Sequence, residues 1–138
     1  MEKYGKFVAE LKDDQLAALV EVMFLAADAD GEFTPDERKQ FIGSIEMLTD
    51  KALPEAKAAE LLESAEQALL GSTRAERLGS IKQRLPEEGT RRLALALAIQ
   101  VTAADGLIRT SERELILEAA DALGLDGDTA ANMVRDLT

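Results

Sequence analysis

The sequence contains no histidine and no cysteine among its 138 residues. A disulfide framework, metal ligation by thiolate or imidazole, a cysteine nucleophile and a histidine general base are therefore all excluded. Any metal ion would have to be held by oxygen ligands, which are the ligands that hard cations such as Ca²⁺, Mg²⁺ and Mn²⁺ prefer. These absences argue against most of the common catalytic sites.

Positive charge is also scarce, because 16 lysines and arginines stand against 27 aspartates and glutamates, for a formal net charge of -11. Such a charge repels nucleic acid phosphates and anionic membranes over most of the surface. Long hydrophobic runs are missing: the most apolar stretch, residues 93–104, is too short to span a bilayer, and the N-terminus lacks the apolar core of a signal peptide. We therefore predict an acidic, non-enzymatic, cytoplasmic domain that has no transmembrane segment and binds no nucleic acid.

The residues that are present favour helices. Ala, Leu, Glu, Lys and Arg dominate, and no segment alternates for long with the period of a strand. Caps and breakers, such as the capping-box patterns that start at Thr34 and Ser111, divide the chain into seven or eight helices. Two helices, around Leu16–Ala27 and Leu93–Ala104, are apolar on nearly all sides. We therefore predict a single all-α domain over residues 1–138, in which amphipathic helices surround a central apolar pair.

Each apolar helix is followed by a similar Asp-Gly corner. Residues 29–38 read ADGEFTPDER and residues 104–113 read ADGLIRTSER, so the second corner follows the first at an offset of 75 positions, from Asp30 to Asp105. A repeated pattern in the same helical context indicates internal duplication. We predict two related half-repeats, at about residues 14–50 and 87–124.

The doubled motif, the paired apolar helices, the length and the acidic balance resemble the TerB-like family. This family includes bacterial tellurite-resistance proteins and the N-terminal domain of a DnaJ-like, membrane-associated co-chaperone. The resemblance covers the chain from about Leu16 to Leu137. It implies an all-α fold with two central hydrophobic helices, a non-catalytic role in stress response and metal binding by acidic residues. A protein partner is then expected, while peripheral membrane association through that partner and homo-oligomerisation both stay open.

The first corner has carboxylates at a spacing similar to that of an EF-hand calcium loop. Asp28 and Asp30 would be early ligands, Gly31 would make the sharp turn, and Glu37 would be the last, bidentate ligand. The first ligand position is occupied by Ala26, which cannot coordinate a metal. The second corner keeps only two such carboxylates, Asp105 and Glu112. Because a full cage needs about six to eight oxygens, Ca²⁺ or Mg²⁺ is expected to bind weakly at best.

A structural interpretation explains the same residues without a metal, and we favour it at both corners. The glycines, Gly31 and Gly106, would end their helices in the left-handed conformation, and the preceding aspartates would bind amides of the turn. Glu37 and Glu112 would stabilise the first turns of the next helices. Arg38 and Arg113 would pair with the corner carboxylates and neutralise the charge that a cation requires.

The sign of the charge reverses between residues 74 and 92. Six basic residues lie there against three glutamates: Arg74, Arg77, Lys82, Arg84, Arg91 and Arg92. Such asymmetry is typical of a docking surface for an acidic partner or for another copy of the chain, and the alternative is a solvated helix face. No aromatic residue lies in this stretch, so platforms for base stacking are missing.

Glu21 is the main charge within the first apolar helix. We expect it at the edge of the apolar face, in contact with water, because a buried carboxylate needs a partner or a raised pKa.

Three functions are compatible with the whole pattern. The favoured one is a TerB-like stress-response module that acts through protein contacts, with or without a divalent cation at the Asp28–Glu37 loop. The second is a plain interaction domain, and the third, supported only by acidity, is a magnesium-dependent hydrolase.

Overall fold

The computed structural model describes residues 4–105 and 108–138, with Asp105 described by its backbone alone. These residues form eight α-helices and one 3₁₀ turn and contain no strand, which confirms the all-α prediction. The helices are α1 (Gly5–Ala9), α2 (Asp13–Ala27), α3 (Pro35–Leu48), α4 (Glu55–Leu70), α5 (Arg74–Arg84), α6 (Glu88–Thr102), α7 (Thr110–Ala122) and α8 (Gly127–Leu137), and the 3₁₀ turn is Ala103–Asp105.

Local signals in the sequence account for several of these helix starts. The Thr73 hydroxyl accepts the amide of Glu76 at 3.1 Å, and the Glu76 carboxylate accepts the amide of Thr73 at 2.8 Å, which together form the capping box that begins α5. The Asp126 carboxylate accepts the amide of Asp128 at 3.1 Å at the start of α8. Each bond satisfies an amide that has no partner within its own helix.

Helices α2 and α6 form the centre of the molecule. Every residue from Ala18 to Ala26 is buried, and so are Leu95, Leu97 and Ile99 of α6. Helix α2 packs against α4, α5 and α7, and α6 packs against α3, α7 and α8, besides their contact with each other. Because residues 18–26 of α2 and 94–99 of α6 are buried on every side, these helices are stable only when other helices cover several of their sides.

The two central helices run in the same direction. Gln15 near the start of α2 and Thr90 near the start of α6 line one groove. At the other end, Ala27 and Thr102 line one small cavity. The two corners that follow these helices therefore lie at the same end of the molecule.

The helix starts repeat the spacing of the sequence motif. Helix α2 begins at residue 13 and α6 at residue 88, while α3 begins at residue 35 and α7 at residue 110, so both pairs of helices are 75 residues apart. Helices α2 and α6 also have the same length of 15 residues. This common spacing supports the proposal that the chain consists of two related halves.

Candidate functional site

The first corner begins where α2 ends. The amide of Gly31 donates to the carbonyl oxygen of Asp28 at 2.8 Å, and Gly31 has a φ of +80°, a conformation that strains any residue with a Cβ atom. The Asp30 carboxylate accepts the amide of Glu32 at 2.9 Å. Both residues therefore have a structural role in the turn.

Glu37 caps the helix that follows this corner. Its Oε1 atom accepts the amide of Thr34 at 2.9 Å, and the Thr34 hydroxyl accepts the amide of Glu37 at 3.1 Å. The predicted capping box at the start of α3 is thus confirmed.

Arg38 was expected to pair with the corner carboxylates, and this expectation is wrong: its Nη2 atom lies 3.2 Å from Oε1 of Glu66 in α4. The long arginine side chain reaches the neighbouring helix.

Asp28 is the carboxyl of this corner whose ionisation the fold opposes. Burial is the largest cause that raises its pKa above the usual range, and the nearby charges of Asp30 and Glu66 raise it further, while Arg74 lowers it. Negative charge therefore accumulates around Asp28 in a half-buried position.

The second corner is described only in part, because Gly106 and the side chain of Asp105 lie outside the described residues. Helix α7 begins at Thr110, with Arg109 as its N-cap, so the capping box predicted from Ser111 is wrong. The carboxylate of Glu112 is buried and accepts the amide of Arg109 at 2.8 Å, which sets the earlier start. Glu112 thus holds the helix start in the same way as Glu37.

The two corners meet at a small cavity of about 90 Å³. Phe33 and Glu37 line it from the first corner, and Arg109 and Glu112 line it from the second. The ring of Phe33 packs edge-on against Phe24 and Phe41, with ring centroids 5.5 and 5.7 Å apart. Phe33 therefore fixes the first corner to the core, next to its counterpart.

The predicted metal ligands do not form a cage in the described part of the chain. Among the residues at 4–104 and 108–138, no three acidic side chains come together closely enough to hold a metal ion. One oxygen of Glu37, one of Glu112 and one of Asp30 already accept backbone amides. These residues do not fit an EF-hand-like cage of about six to eight oxygens, and cation binding stays a prediction.

Two arginines of the 74–92 stretch point into the protein, towards Glu21. The Nε and Nη2 atoms of Arg77 donate to Oε2 and Oε1 of Glu21 at 2.5 and 3.0 Å, and Nη2 of Arg84 donates to Oε1 at 2.5 Å. The Glu21 side chain is only 4% exposed, so the expectation that it contacts water is wrong. Two guanidinium groups supply the donors that make its burial tolerable.

A comparison with protein-family models decides the family. The model described as tellurite resistance protein TerB matches residues 16–135. The chain belongs to the TerB family. Comparisons with curated proteins and with solved structures gave no match. The TerB match begins within α2 and ends within α8, so it includes both corners and also residues 54–86, where the sequence alone shows no TerB motif.

Most other arginines of the basic stretch also make contacts within the TerB fold. Arg74 forms an ion pair with Glu118 at 3.1 Å, and Arg92 pairs with Glu88 one helical turn away at 3.2 Å. The guanidinium of Arg91 donates to backbone carbonyl oxygens, including that of Leu123 at 3.2 Å. Lys82 forms no ion pair with any residue that the structure describes. An acidic partner at this surface stays a prediction.

One surface was missed by the sequence reasoning. An apolar groove lies between α1, the first half of α6 and α8, and its lining includes Phe7, Leu93 and Met133. In the sequence each of these residues looks like an ordinary core position of its own helix. The only signal was that three helices each have apolar residues that the core does not cover.

The described helices include none with the length and apolar character needed to cross a membrane.

Proposed function

We propose that this TerB-family chain is a non-enzymatic module of a tellurite-type stress response, which acts in the cytoplasm through contacts with another protein. The observation that supports this proposal is the TerB match over residues 16–135, because it extends over both central helices and both corners. A likeness limited to one corner would support only a local turn motif.

The contacts of the charged residues support the same proposal. The buried carboxylate of Glu21 is bound by Arg77 and Arg84, and those of Glu37 and Glu112 cap helices. All of these carboxylates therefore have structural partners that explain why they are present. A catalytic acid or base would need a position from which it can exchange a proton with a substrate.

A divalent cation at the Asp28–Glu37 loop is a variant of the same function. Asp28 lies near the charges of Asp30 and Glu66, which a bound cation would compensate, but no three acidic side chains of the described residues come together as a cage. Two different functions compete with the proposal: a plain interaction domain without a stress role, and a magnesium-dependent hydrolase.

Survival of cells on tellurite tests the proposal. Deletion of the gene should lower survival, and expression of the intact chain should restore it. If deletion leaves survival unchanged under every oxidative and metalloid stress that is tested, the stress-response role is contradicted. Turnover of any phosphoester in the presence of Mg²⁺ by the purified chain would contradict the non-enzymatic role.

A double variant separates a cation-binding module from a metal-free one. Replacement of Glu37 and Glu112 by glutamine removes both charges but keeps an amide oxygen that can complete each cap. A metal-free module should restore survival in this variant. If the variant melts at the same temperature as the parent but fails to restore survival, the carboxylates have a role beyond capping, and the cation-binding module is favoured.

A further inference from the structure

The groove between α1, α6 and α8 has a volume of about 1160 Å³. Its apolar walls come from three helices: Phe7 and Leu11 at the α1 side, Leu93 on α6, and Met133 and Leu137 on α8. Phe7 is 62% exposed. An apolar surface of this kind is typical of a site that another molecule covers.

The groove and a depression beside it are together long enough to hold a helix. On α6 the lining includes Gly89, Leu93 and Ala96, which are spaced as one face of a helix. The same face continues as Gln100 and Ala103 in an adjoining depression of about 220 Å³, which shares Leu137 with the groove. At 1.5 Å per residue the combined face is about 20 Å long. A helix lying along it would bury a stripe of apolar side chains.

The charges at the rim indicate the sign of the partner. The groove is lined by the carboxylates of Glu10, Glu87 and Asp136 and by the cations Lys12 and Arg92. Arg92 is already paired with Glu88, and Asp136 is paired with Arg135. Glu10, Glu87 and Lys12 form no ion pair with any residue in the described ranges, so two unpaired carboxylates face one unpaired cation. Together with the net charge of -11, this leaves the rim complementary to a basic partner.

The same charges argue against the other occupants. A second copy of the chain would bring its own net charge of -11 to this face, and an anionic membrane would be repelled likewise. The arginines that could have attracted a second copy are mostly engaged, because Arg77 and Arg84 bind Glu21 and Arg74 binds Glu118.

We propose that this groove binds an amphipathic helix of a partner protein, with an apolar face that packs on Phe7, Leu93 and Met133 and with lysines or arginines that meet Glu10 and Glu87. This inference rests on the proposed function in one respect: it names the surface and the chemistry of the protein contact. Apolar packing supplies affinity, and the flanking charges select a basic helix and speed its association.

Two designed peptides test the groove directly. Both carry leucines at positions i, i+3, i+4 and i+7 of a helix, one with lysine flanks and one with glutamate flanks, and binding is followed by fluorescence anisotropy. We expect the lysine peptide to bind, with an affinity that falls as the salt concentration is raised. The glutamate peptide should bind at least about tenfold more weakly. Equal affinity of the two peptides, or no binding of either, overturns the proposal.

Variants of the chain locate the binding. Phe7→Glu should lower the affinity for the lysine peptide at least about tenfold, as expected when an apolar anchor is lost. Leu70→Glu is the matched control, because Leu70 is 81% exposed and does not line the groove, and it should leave binding unchanged. Glu87→Lys, at another exposed position, should also weaken binding and serves if Phe7→Glu does not fold. An equal loss in Leu70→Glu, or no loss in Glu87→Lys, overturns the proposal.

A photocrosslinker in place of Phe7 identifies the natural occupant in the host cell, with the same group in place of Leu70 as control. A crosslinked segment that is a basic amphipathic helix supports the proposal. A crosslink to a second copy, to an acidic or non-helical segment, or to nothing overturns it. If deletion still lowers survival on tellurite in that case, the proposed function stands and only the assignment of the groove fails.

Discussion

The carboxylate of Glu21 in α2 binds the guanidinium of Arg77 in α5 through both of its oxygens, at 2.5 and 3.0 Å. The hydrogen bond with Glu21 is the main cause that raises the pKa of Arg77 above its usual range. The exposures of the side chains differ: that of Glu21 is 4%, that of Arg77 is 19%, and that of Arg84, which binds the same carboxylate, is 22%. Without the arginines the carboxylate would be buried with no donors, whereas without Glu21 both arginines would still be partly exposed to water.

This asymmetry predicts unequal effects of removing each side of the cluster. Replacement of Arg77 and Arg84 together by methionine should lower the free energy of unfolding by about 3–5 kcal/mol, because it leaves a buried carboxylate without donors. Glu21→Leu should cost less, since the freed guanidinium groups can reach water. Urea denaturation measures both. Arg74→Met, which breaks a more exposed pair, is the control and should cost less than about 1 kcal/mol. A larger loss in Glu21→Leu would contradict this account.

The raised pKa of Asp28 predicts a pH-dependent stability. Since the folded chain holds the Asp28 proton more tightly than the unfolded chain, where the pKa is near 3.8, this group favours folding most at low pH and loses that contribution as pH rises through the folded pKa. Ionised Asp28 therefore destabilises the fold at neutral pH, through burial and the charges of Asp30 and Glu66, which Arg74 offsets only in part.

Asp28→Asn should accordingly raise the melting temperature at pH 7, and the gain should shrink as the pH falls towards the pKa of the carboxyl. Thermal melts over a pH series measure this difference. Asp121→Asn, at an exposed position of α7, is the matched control and should show a much smaller change. A lower melting temperature for Asp28→Asn at pH 7 would show that the Asp28 charge has a favourable partner.

The two corners differ in one cap, and this difference predicts a stabilising substitution. Thr34 accepts the amide of Glu37, whereas Arg109 at the equivalent position of α7 has no hydroxyl to accept the amide of Glu112. Arg109→Thr should complete the box and raise the free energy of unfolding by about 0.5–1 kcal/mol. Thr34→Ala should lower it by about 1 kcal/mol. Denaturant titrations of the two variants check both signs, and a destabilised Arg109→Thr would contradict the equivalence of the corners.

Calorimetry with Ca²⁺, Mg²⁺ and Mn²⁺ tests the acidic loop. We expect the stability difference between the parent chain and Glu37→Gln to be the same with and without millimolar metal, because Oε1 of Glu37 is used by the amide of Thr34. A ligand role would instead raise the melting temperature of the parent in metal, and the rise would be lost in the variant. Asp36→Asn, in the same helical turn, controls for loss of charge alone.

The sequence predicted those features whose partners lie within a few residues of each other. The capping box of Thr34 and Glu37 and the turn at Gly31 depend on neighbours along the chain, so their residue types suffice to recognise them. The prediction of where α7 starts was wrong for a physical reason. Ser111 and Glu114 have the spacing of a capping box, but the carboxylate of Glu112 accepts the amide of Arg109, and the helix therefore begins earlier.

Features that depend on distant residues were not predictable in the same way. The partners of Glu21 follow it by 56 and 63 residues, and nothing in the periodicity of α2 indicates them. The direction of α6 relative to α2 is set by the packing of the surrounding helices, so the sequence alone does not show that the two corners are adjacent. The groove at Phe7 arises because α1, α6 and α8 leave apolar faces uncovered together, which no single helix reveals.

The partnership of α2 with α6 also has a consequence for synthesis of the chain. Helix α2 is complete at residue 27, but the helix that packs along it is complete only at residue 102. Contacts between residues so distant in sequence slow folding relative to bundles of neighbouring helices. A growing polypeptide on the ribosome therefore exposes one side of its most apolar helix until the second has been made, and nascent chains stalled in that interval should be the form most prone to aggregate.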